Sequence, residues 1–409
     1  MNETVEHVPL IILLIGSIIV ISIFVKSYLS RNGIPCMVGF FIIGFGLRLL
    51  NIPFNILTPT VQEIFEILAK IGVIVLLFRI GLESNISGLL SQLRNASWNW
   101  LSGLLISGLS GFIVCYTIFS LSLITSLIVG IALTATSVGI SVGIWHEAGA
   151  LKSRTGELLM DVAELDDISG IVLMALLFAV LPVLKTEAGN VGLFSLLLTS
   201  TGWLLLKLFL FGGVCLLFSL FLERHITHYV KKIRSTSFLM LITIGIGFII
   251  ASLAGMLGFS VAIGAFFAGL SFSRDPQSVK IDASFDSIYN LFGPFFFIGI
   301  GMSIQPASLS TGIVIGLVLV IVAALGKMIG HGVPGMLEAG KREGFVLGLS
   351  MVPRAEIAMI IMQHGLSKGA WAVPRHIFSA MVLVSALTCL FSPLGVQYLL
   401  NRWPDIKKE

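Results

Sequence analysis

Two adjacent acids, Asp166 and Asp167, stand within a long apolar segment of the chain. A charge at the centre of a membrane costs roughly 2.5 to 3.5 kcal/mol on insertion scales, so such residues usually serve a function and face protein or water. Carboxylate oxygens are the ligands that hard cations prefer, and carboxylates also bind protons. Two carboxylates this close titrate as a coupled pair. The pair therefore predicts a site at which a cation and protons compete.

Three further charges are predicted to lie at a similar depth. Asp166 lies about 15 residues, or about 22 Å, into its apolar segment at the rise of a helix. Lys327 lies about eighteen residues into a later segment, and Arg354 and Glu356 lie halfway along the next one. We expect Arg354 and Glu356 to pair with groups of interrupted helices and to hold the core together. For Lys327, a structural salt bridge and a direct role in carrying a proton are equal alternatives.

Two segments contain residues that interrupt helices at this same depth. The segment over 122–145 contains the run Thr134–Ala135–Thr136–Ser137, and the segment over 342–366 contains Pro353. Proline removes a helix hydrogen bond, and hydroxyl groups can replace backbone partners, so both helices are predicted to break near the midplane. Helix packing by small residues is the alternative for the first run. The candidate ion ligands or organisers of the break are the hydroxyl residues of that run: Thr134, Thr136 and Ser137.

An acidic stripe precedes the carboxylate pair. At about 100° per residue, Glu157, Asp161 and Glu164 fall within about 60° of one another on a helix, with Asp167 about 60° further round. The stripe either lines a cytoplasmic funnel or adds a third titrating acid, which makes Glu164 a candidate modulator of transport. His146 is a second candidate modulator because histidine titrates near physiological pH, with a polar residue at the membrane interface as the alternative.

The elements that must position these residues are membrane-spanning helices. Of 409 residues, 56% are apolar and 11% are charged, which excludes an ordinary soluble domain. Apolar runs of about 18 to 25 residues recur, each long enough to cross about 30 Å of hydrocarbon as a helix. They predict an all-α polytopic membrane protein of about thirteen spans, listed by position: 9–30, 35–50, 58–82, 97–119, 122–145, 152–182, 192–222, 236–257, 259–273, 284–303, 309–335, 342–366 and 374–401.

The basic residues of the loops predict the orientation of the chain. With thirteen spans, sixteen basic loop residues fall on one side and four on the other. Basic loops remain in the cytoplasm, so the N-terminus is predicted outside and the C-terminus in the cytoplasm, in a prokaryotic inner membrane. The fifth and twelfth spans are seven apart and run in opposite directions. Two broken helices so related are typical of inverted repeats that surround an ion site.

Motifs along nearly the whole chain resemble the second family of monovalent cation:proton antiporters, of the NapA and Kef type. The matching segments, in chain order, are LFRIGLE at Leu77–Glu83, ALTATSVG at Ala132–Gly139, Asp166–Asp167 with Gly170, GPFFF at Gly293–Phe297, Gly326–Lys327 and MVPRAE at Met351–Glu356. One departure concerns Glu164, where members of the family commonly have an apolar residue or Gln. This departure leaves the choice of ion and the stoichiometry open.

The resemblance implies an NhaA/NapA-like fold within one transmembrane domain over 1–409. Core helices at about 97–182 and 309–401 would move against dimerisation helices at about 9–82 and 236–303, with a linking helix at about 192–222. By the same resemblance, Asp167 is the principal ion ligand, and Lys327 pairs with Asp166. The implied assembly is a homodimer in membrane lipid.

The leading functional prediction is electrogenic exchange of sodium, or lithium, for protons by alternating access. Potassium/proton exchange of the Kef type is one alternative, and sodium-coupled symport of an organic anion on a similar fold is another. The sequence contains no nucleophile and base constellation, nucleotide-binding loop or cysteine spacing for zinc, so we expect no enzyme activity, no cofactor and no nucleic-acid partner.

Overall fold

The computed structural model describes residues 8–32, 34–84, 89–186, 193–223, 225, 236–273 and 283–407, and all regular elements in these ranges are helices. The predicted all-helical fold is confirmed. Part of the loop charge that predicts the orientation lies outside the described residues, namely Arg224, Lys231, Lys232, Arg234, Arg274, Lys280 and Lys408.

The described α-helices are numbered in chain order. The first eight are α1 Val8–Arg31, α2 Cys36–Phe54, α3 Pro59–Glu83, α4 Leu89–Ile113, α5 Leu123–Thr134, α6 Val138–Glu147, α7 Arg154–Thr186 and α8 Leu193–Leu217. The remainder are α9 Thr236–Met256, α10 Val261–Ser271, α11 Ala283–Ser303, α12 Leu309–Glu338, α13 Lys341–Ser350, α14 Glu356–Lys368 and α15 Arg375–Arg402. One turn of π-helix extends α4 over Val114–Ile118 and α8 over Phe218–Leu222.

Each of the thirteen predicted spans overlaps one helix or one interrupted pair of helices. The predicted span 122–145 is the pair α5 and α6, and the predicted span 342–366 is the pair α13 and α14. By length and composition alone, seven stretches of the described residues can cross a membrane. Shorter apolar stretches of the described residues lie over Phe209–Leu222, Met240–Met256 and Val261–Ser271.

The chain divides into two compact units. The first unit comprises Met1–Phe24, Asn55–Gly88 and Ala175–Gly299. Within it, α3 and α10 pack at backbone distance, because a Cβ added at Gly81 would strike the Phe266 carbonyl and one at Gly269 the Phe78 carbonyl. Phenylalanines from α3, α10 and α11 fill the space beside this crossing, with Phe78 between Phe272 and Phe285. The first unit is therefore held by glycine contacts and aromatic packing.

The second unit comprises Val25–Phe54, Leu89–Met174 and Ile300–Glu409. It contains both interrupted helices, the long helices α4, α12 and α15, and the part of α7 up to Met174. Glycines again permit close approach, since a Cβ at Gly330 of α12 would lie 2.7 Å from the Cα of Gly103 in α4. The connection from α12 to α13 turns at Gly340, whose φ of +126° disfavours a residue with a side chain. Every candidate site residue lies in this unit.

Local chemistry explains where the interrupted helices begin and end. The Ser122 hydroxyl accepts a hydrogen bond from the Thr125 amide and caps the start of α5. Ala135 then adopts an extended conformation and ends α5 after Thr134. Pro353 supplies no amide hydrogen and disfavours helical geometry in the residue before it, so α13 ends at Ser350 and α14 begins at Glu356.

Candidate ion-binding site

The breaks in the two interrupted helices lie against each other. The amide of Ser137, which caps the start of α6, donates a hydrogen bond of 2.9 Å to the Pro353 carbonyl. Interrupted helices leave amides and carbonyls without partners in their own turns, and a buried group of this kind must find another partner. Here each break supplies a partner for the other.

Arg354 binds the carbonyl groups at both breaks. Its buried guanidinium donates through Nη1 to the Ala135 carbonyl at 2.8 Å and to the Met351 carbonyl at 3.2 Å. These carbonyls follow the C-terminal ends of α5 and α13, where a helix carries partial negative charge. The positive side chain therefore stabilises the two helix ends that point into the break.

Glu356 has the complementary position. It begins α14, and its Oε2 accepts a hydrogen bond of 2.7 Å from the Ser137 hydroxyl at the start of α6. Helix N-termini carry partial positive charge, so a carboxylate stabilises them. Arg354 thus binds carbonyls at C-terminal helix ends, and Glu356 lies at N-terminal helix ends. Each of them connects the break before α14 to the break between α5 and α6.

Asp166 is buried in α7 and faces the α5 break. Its Oδ2 lies 2.6 Å from Lys327 Nζ in α12 and accepts a hydrogen bond of 2.5 Å from the Thr136 hydroxyl. Both side chains of the ion pair are 0% exposed. Within the described part of the chain, the second oxygen, Oδ1, is buried and has no hydrogen-bond partner. Asp166 therefore has one oxygen bonded to Lys327 and Thr136 and one oxygen without a partner.

Asp167 differs from its neighbour although only one peptide bond separates them. It is partly exposed, and among the residues described it makes no hydrogen bond and no ion pair. The charges that act on it are those of Asp166, Glu356, Lys327 and Glu164. The two adjacent carboxylates thus differ: Asp166 forms an ion pair with Lys327, and Asp167 forms none with the described residues.

Of the three hydroxyl candidates, one bonds to the carboxylate pair and one bonds to Glu356 at the break. Thr136 donates to Asp166, and Ser137 to Glu356. The Thr134 hydroxyl instead donates to the Ile131 carbonyl of its own helix at 2.8 Å. The structure therefore does not bring the Thr134 hydroxyl to the carboxylate pair.

The two candidate modulators lie outside this cluster. Glu164 is half-buried one helical turn before Asp167, on the side of α7 that also carries the half-buried Asp161 and the exposed Glu157. Exposure thus falls along the stripe towards the carboxylate pair, as a polar approach would require. His146 is exposed at the C-terminal end of α6.

Two buried residues of the site escape sequence reasoning. His331 lies one turn after Lys327 in α12, and its Nε2 is 3.1 Å from Lys327 Nζ. Its Nδ1 is 2.8 Å from Oδ1 of Asn99 in α4. The spacing of four between Lys327 and His331 is a usable signal in the sequence, because it places both on one helix face. Nothing in the sequence indicates Asn99.

Two antiporters are similar in sequence to this chain. The high-affinity Na(+)/H(+) antiporter NhaS3 of Synechocystis is 28% identical over 318 residues, which is 76% of this chain and 66% of NhaS3. The Na(+)/H(+)-K(+) antiporter GerN of Bacillus cereus is 28% identical over 339 residues, covering 82% of this chain and 84% of GerN. The chain thus spans slightly less than two thirds of the first relative and most of the second.

A solved structure shares the fold. The sodium proton antiporter MjNhaP1 from Methanocaldococcus jannaschii superposes with a TM-score of 0.64 over 98% of this chain and 99% of that protein, at 17% sequence identity. The family described as "Sodium/hydrogen exchanger, transmembrane" matches residues 16–402, which is nearly the whole chain. The protein therefore belongs to the sodium/hydrogen exchanger family, a multi-pass membrane family of monovalent cation:proton antiporters.

Proposed function

We propose that the protein exchanges a monovalent cation for protons by alternating access, with Asp166 and Asp167 as the shared site. The observation that carries this proposal is the contrast between the two carboxylates. Asp166 is buried and bound by Lys327 and Thr136, whereas Asp167 is partly exposed and makes no hydrogen bond or ion pair with the described residues. Asp167 is free to bind an incoming cation. Asp166 can then join it as a ligand by giving up its ion pair with Lys327.

The chemistry of the donor set suits a hard monovalent cation. Asp167 offers two carboxylate oxygens, and the adjacent residue Asp166 offers its unpaired Oδ1. A proton on the same carboxylates removes the negative charge that holds the cation, so the two substrates compete. Protonation on the outer side releases the cation, and movement of the core helices then exposes the site to the cytoplasm. There a cation replaces the protons, which completes an exchange without an open channel.

Lys327 supports an electrogenic form of this cycle. A cation that binds Asp166 displaces the lysine from a pair of 2.6 Å in a fully buried position. An unpaired ammonium ion is costly in such surroundings, so Lys327 releases its proton when the pair opens. One proton from the lysine and one from Asp167 then leave for each cation that enters.

Sodium is the proposed cation, in accord with the names of NhaS3 and GerN, and lithium is proposed beside it as a smaller hard cation. Potassium is the second candidate, because the name of GerN also includes it. We also propose a homodimer in the inner membrane with the N-terminus outside. The predicted distribution of basic loops supports this orientation, and the family resemblance supports the dimer.

The test is transport by the purified protein in liposomes with an imposed, acid-inside pH gradient. We expect addition of sodium to collapse the gradient, which a pH-sensitive dye reports as dequenching. Asp167→Asn keeps the size of the side chain but removes its charge, and should abolish the response. The matched control is Asp405→Asn, an exposed acid at the end of the chain, which should leave exchange unchanged. A gradient that survives sodium, lithium and potassium alike would overturn antiport, and normal transport by Asp167→Asn would overturn the site.

A further inference from the structure

The chain contains a buried histidine that the proposed cycle does not yet use. His331, Lys327 and Asn99 are each 0% exposed, and they form a continuous chain of contacts. Lys327 Nζ lies 2.6 Å from Asp166 and 3.1 Å from His331 Nε2, and His331 Nδ1 lies 2.8 Å from Asn99 Oδ1. The ammonium ion thus has two different partners, a carboxylate on one side and an imidazole on the other.

The contacts determine which nitrogen of His331 carries the hydrogen. An ammonium ion only donates hydrogen bonds, so Nε2 must accept from Lys327. The amide nitrogen of Asn99 donates to the His331 backbone carbonyl at 3.0 Å, which turns Asn99 Oδ1 towards the ring. An amide oxygen only accepts, so Nδ1 must be the protonated nitrogen. Asn99 therefore holds His331 as a neutral imidazole whose lone pair faces the lysine.

Close helix packing holds the ring in place. Gly103, one turn after Asn99 in α4, has no side chain where the imidazole lies, and an added Cβ would clash with His331 Cε1 and Nε2. Gly330 of α12 meets the backbone of α4 at the same level. The backbones of two helices thus form the walls of the histidine site and limit the movement of the ring.

We propose that His331 is a positioning residue that accepts a hydrogen bond from the Lys327 amine when a cation has taken Asp166 from it and the lysine has released its proton. This inference rests on the proposed function and adds a residue to it. In the paired state Lys327 has both Asp166 and His331 as acceptors. After displacement, His331 Nε2 is the acceptor that remains in contact with it. Loss of His331 therefore raises the energy of the displaced state more than that of the paired state, and a cation competes less well.

The experiment measures the apparent KM and maximal rate of exchange at one fixed pH, with whichever of sodium or potassium the wild-type protein exchanges. His331→Leu removes the acceptor and should raise KM about tenfold, which corresponds to about 1.4 kcal/mol, near the upper value for one neutral hydrogen bond. His331→Gln retains an oxygen acceptor and should restore KM to within about threefold of wild type. Asn99→Leu frees the ring and should give an intermediate KM.

A matched control and a double variant separate positioning from structure. His225→Gln makes the same chemical change at an exposed histidine and should leave both constants unchanged. In a Lys327→Gln background, His331→Leu should raise KM no further, because its effect passes through the lysine. If Lys327→Gln transports too slowly, the same comparison is made from the cation concentration that half-stabilises the purified protein against heat.

The outcomes differ for the two proposals. Wild-type protein that exchanges neither cation removes the proposed function, and this inference with it. Wild-type exchange with an unchanged KM in His331→Leu overturns the inference alone, as does a variant that loses only maximal rate or amount of folded protein. An equal rise in KM with and without Lys327 also overturns it.

Discussion

Each unit of the chain contains an ion pair between a lysine and a carboxylate, and the two pairs differ in their surroundings. In the first unit, Lys70 Nζ lies 2.9 Å from Glu66 Oε1, with side chains 70% and 64% exposed. In the second unit, Lys327 Nζ lies 2.6 Å from Asp166 Oδ2, with both side chains 0% exposed. The lengths are similar, yet water solvates only the first pair. Burial, and not distance, decides what an ion pair can do.

The contrast extends to how each unit is held together. In the first unit, glycines bring helix backbones together and phenylalanines fill the space between them. In the second, a buried hydrogen bond from Arg354 to Ala135 and a partly buried one from Ser137 to Glu356 connect the two breaks. Buried ion pairs add little net stability compared with apolar residues, so their presence indicates a role other than stability.

The largest expected effect comes from breaking the buried pair. Asp166→Asn removes the counter-charge of the buried Lys327, and loss of one partner of a buried ion pair should lower the stability of the protein by roughly 3 to 5 kcal/mol. The double variant Asp166→Asn with Lys327→Gln removes both charges and should recover much of that loss. Thermal unfolding of the purified proteins in detergent measures both. If the double variant were less stable than Asp166→Asn alone, the unpaired charge of Lys327 could not be the main cause of the loss of stability.

Packing in the first unit gives an effect of intermediate size. Gly269→Ala forces a Cβ against the Phe78 carbonyl in α3, and overpacking of this kind costs about 1 to 3 kcal/mol. The KM for the cation should stay unchanged, because no candidate ion ligand lies in this unit. Gly245→Ala in α9 is the control, since its Cβ would meet no atom within 4 Å. Equal thermal stability of the two variants would contradict this prediction, because it would show that α3 and α10 can accommodate the added Cβ without loss of stability.

The sequence was sufficient for the parts of the site that depend on one segment at a time. The carboxylate pair is a candidate because charge within an apolar run is costly, and the breaks are predictable because Pro353 and the run at Thr134–Ser137 interrupt a helix locally. Both interrupted helices are present in the structure. These features need no knowledge of how helices pack against one another.

The features of the site that the sequence does not predict depend on contacts between segments far apart in the chain. Asn99 and His331 are 232 residues apart, and only the packing of α4 against α12 brings them together. The unequal states of Asp166 and Asp167 also depend on packing, because consecutive helical residues point about 100° apart and the position of Lys327 selects one of them. Thr134 was a reasonable ligand candidate by type, but its hydroxyl faces its own helix.

The smallest effect is expected at the exposed pair, and it sharpens the comparison between the units. Lys70→Ala removes a pair at spacing i, i+4 on α3, which is worth about 0.3 to 0.5 kcal/mol and is screened by salt. Thermal stability should therefore change little at low salt and not at all at high salt. The exchange rate should equal that of wild type under both conditions. A loss above about 1 kcal/mol would mean that the exposed pair does more than its solvation allows, and that burial alone does not separate it from Lys327 and Asp166.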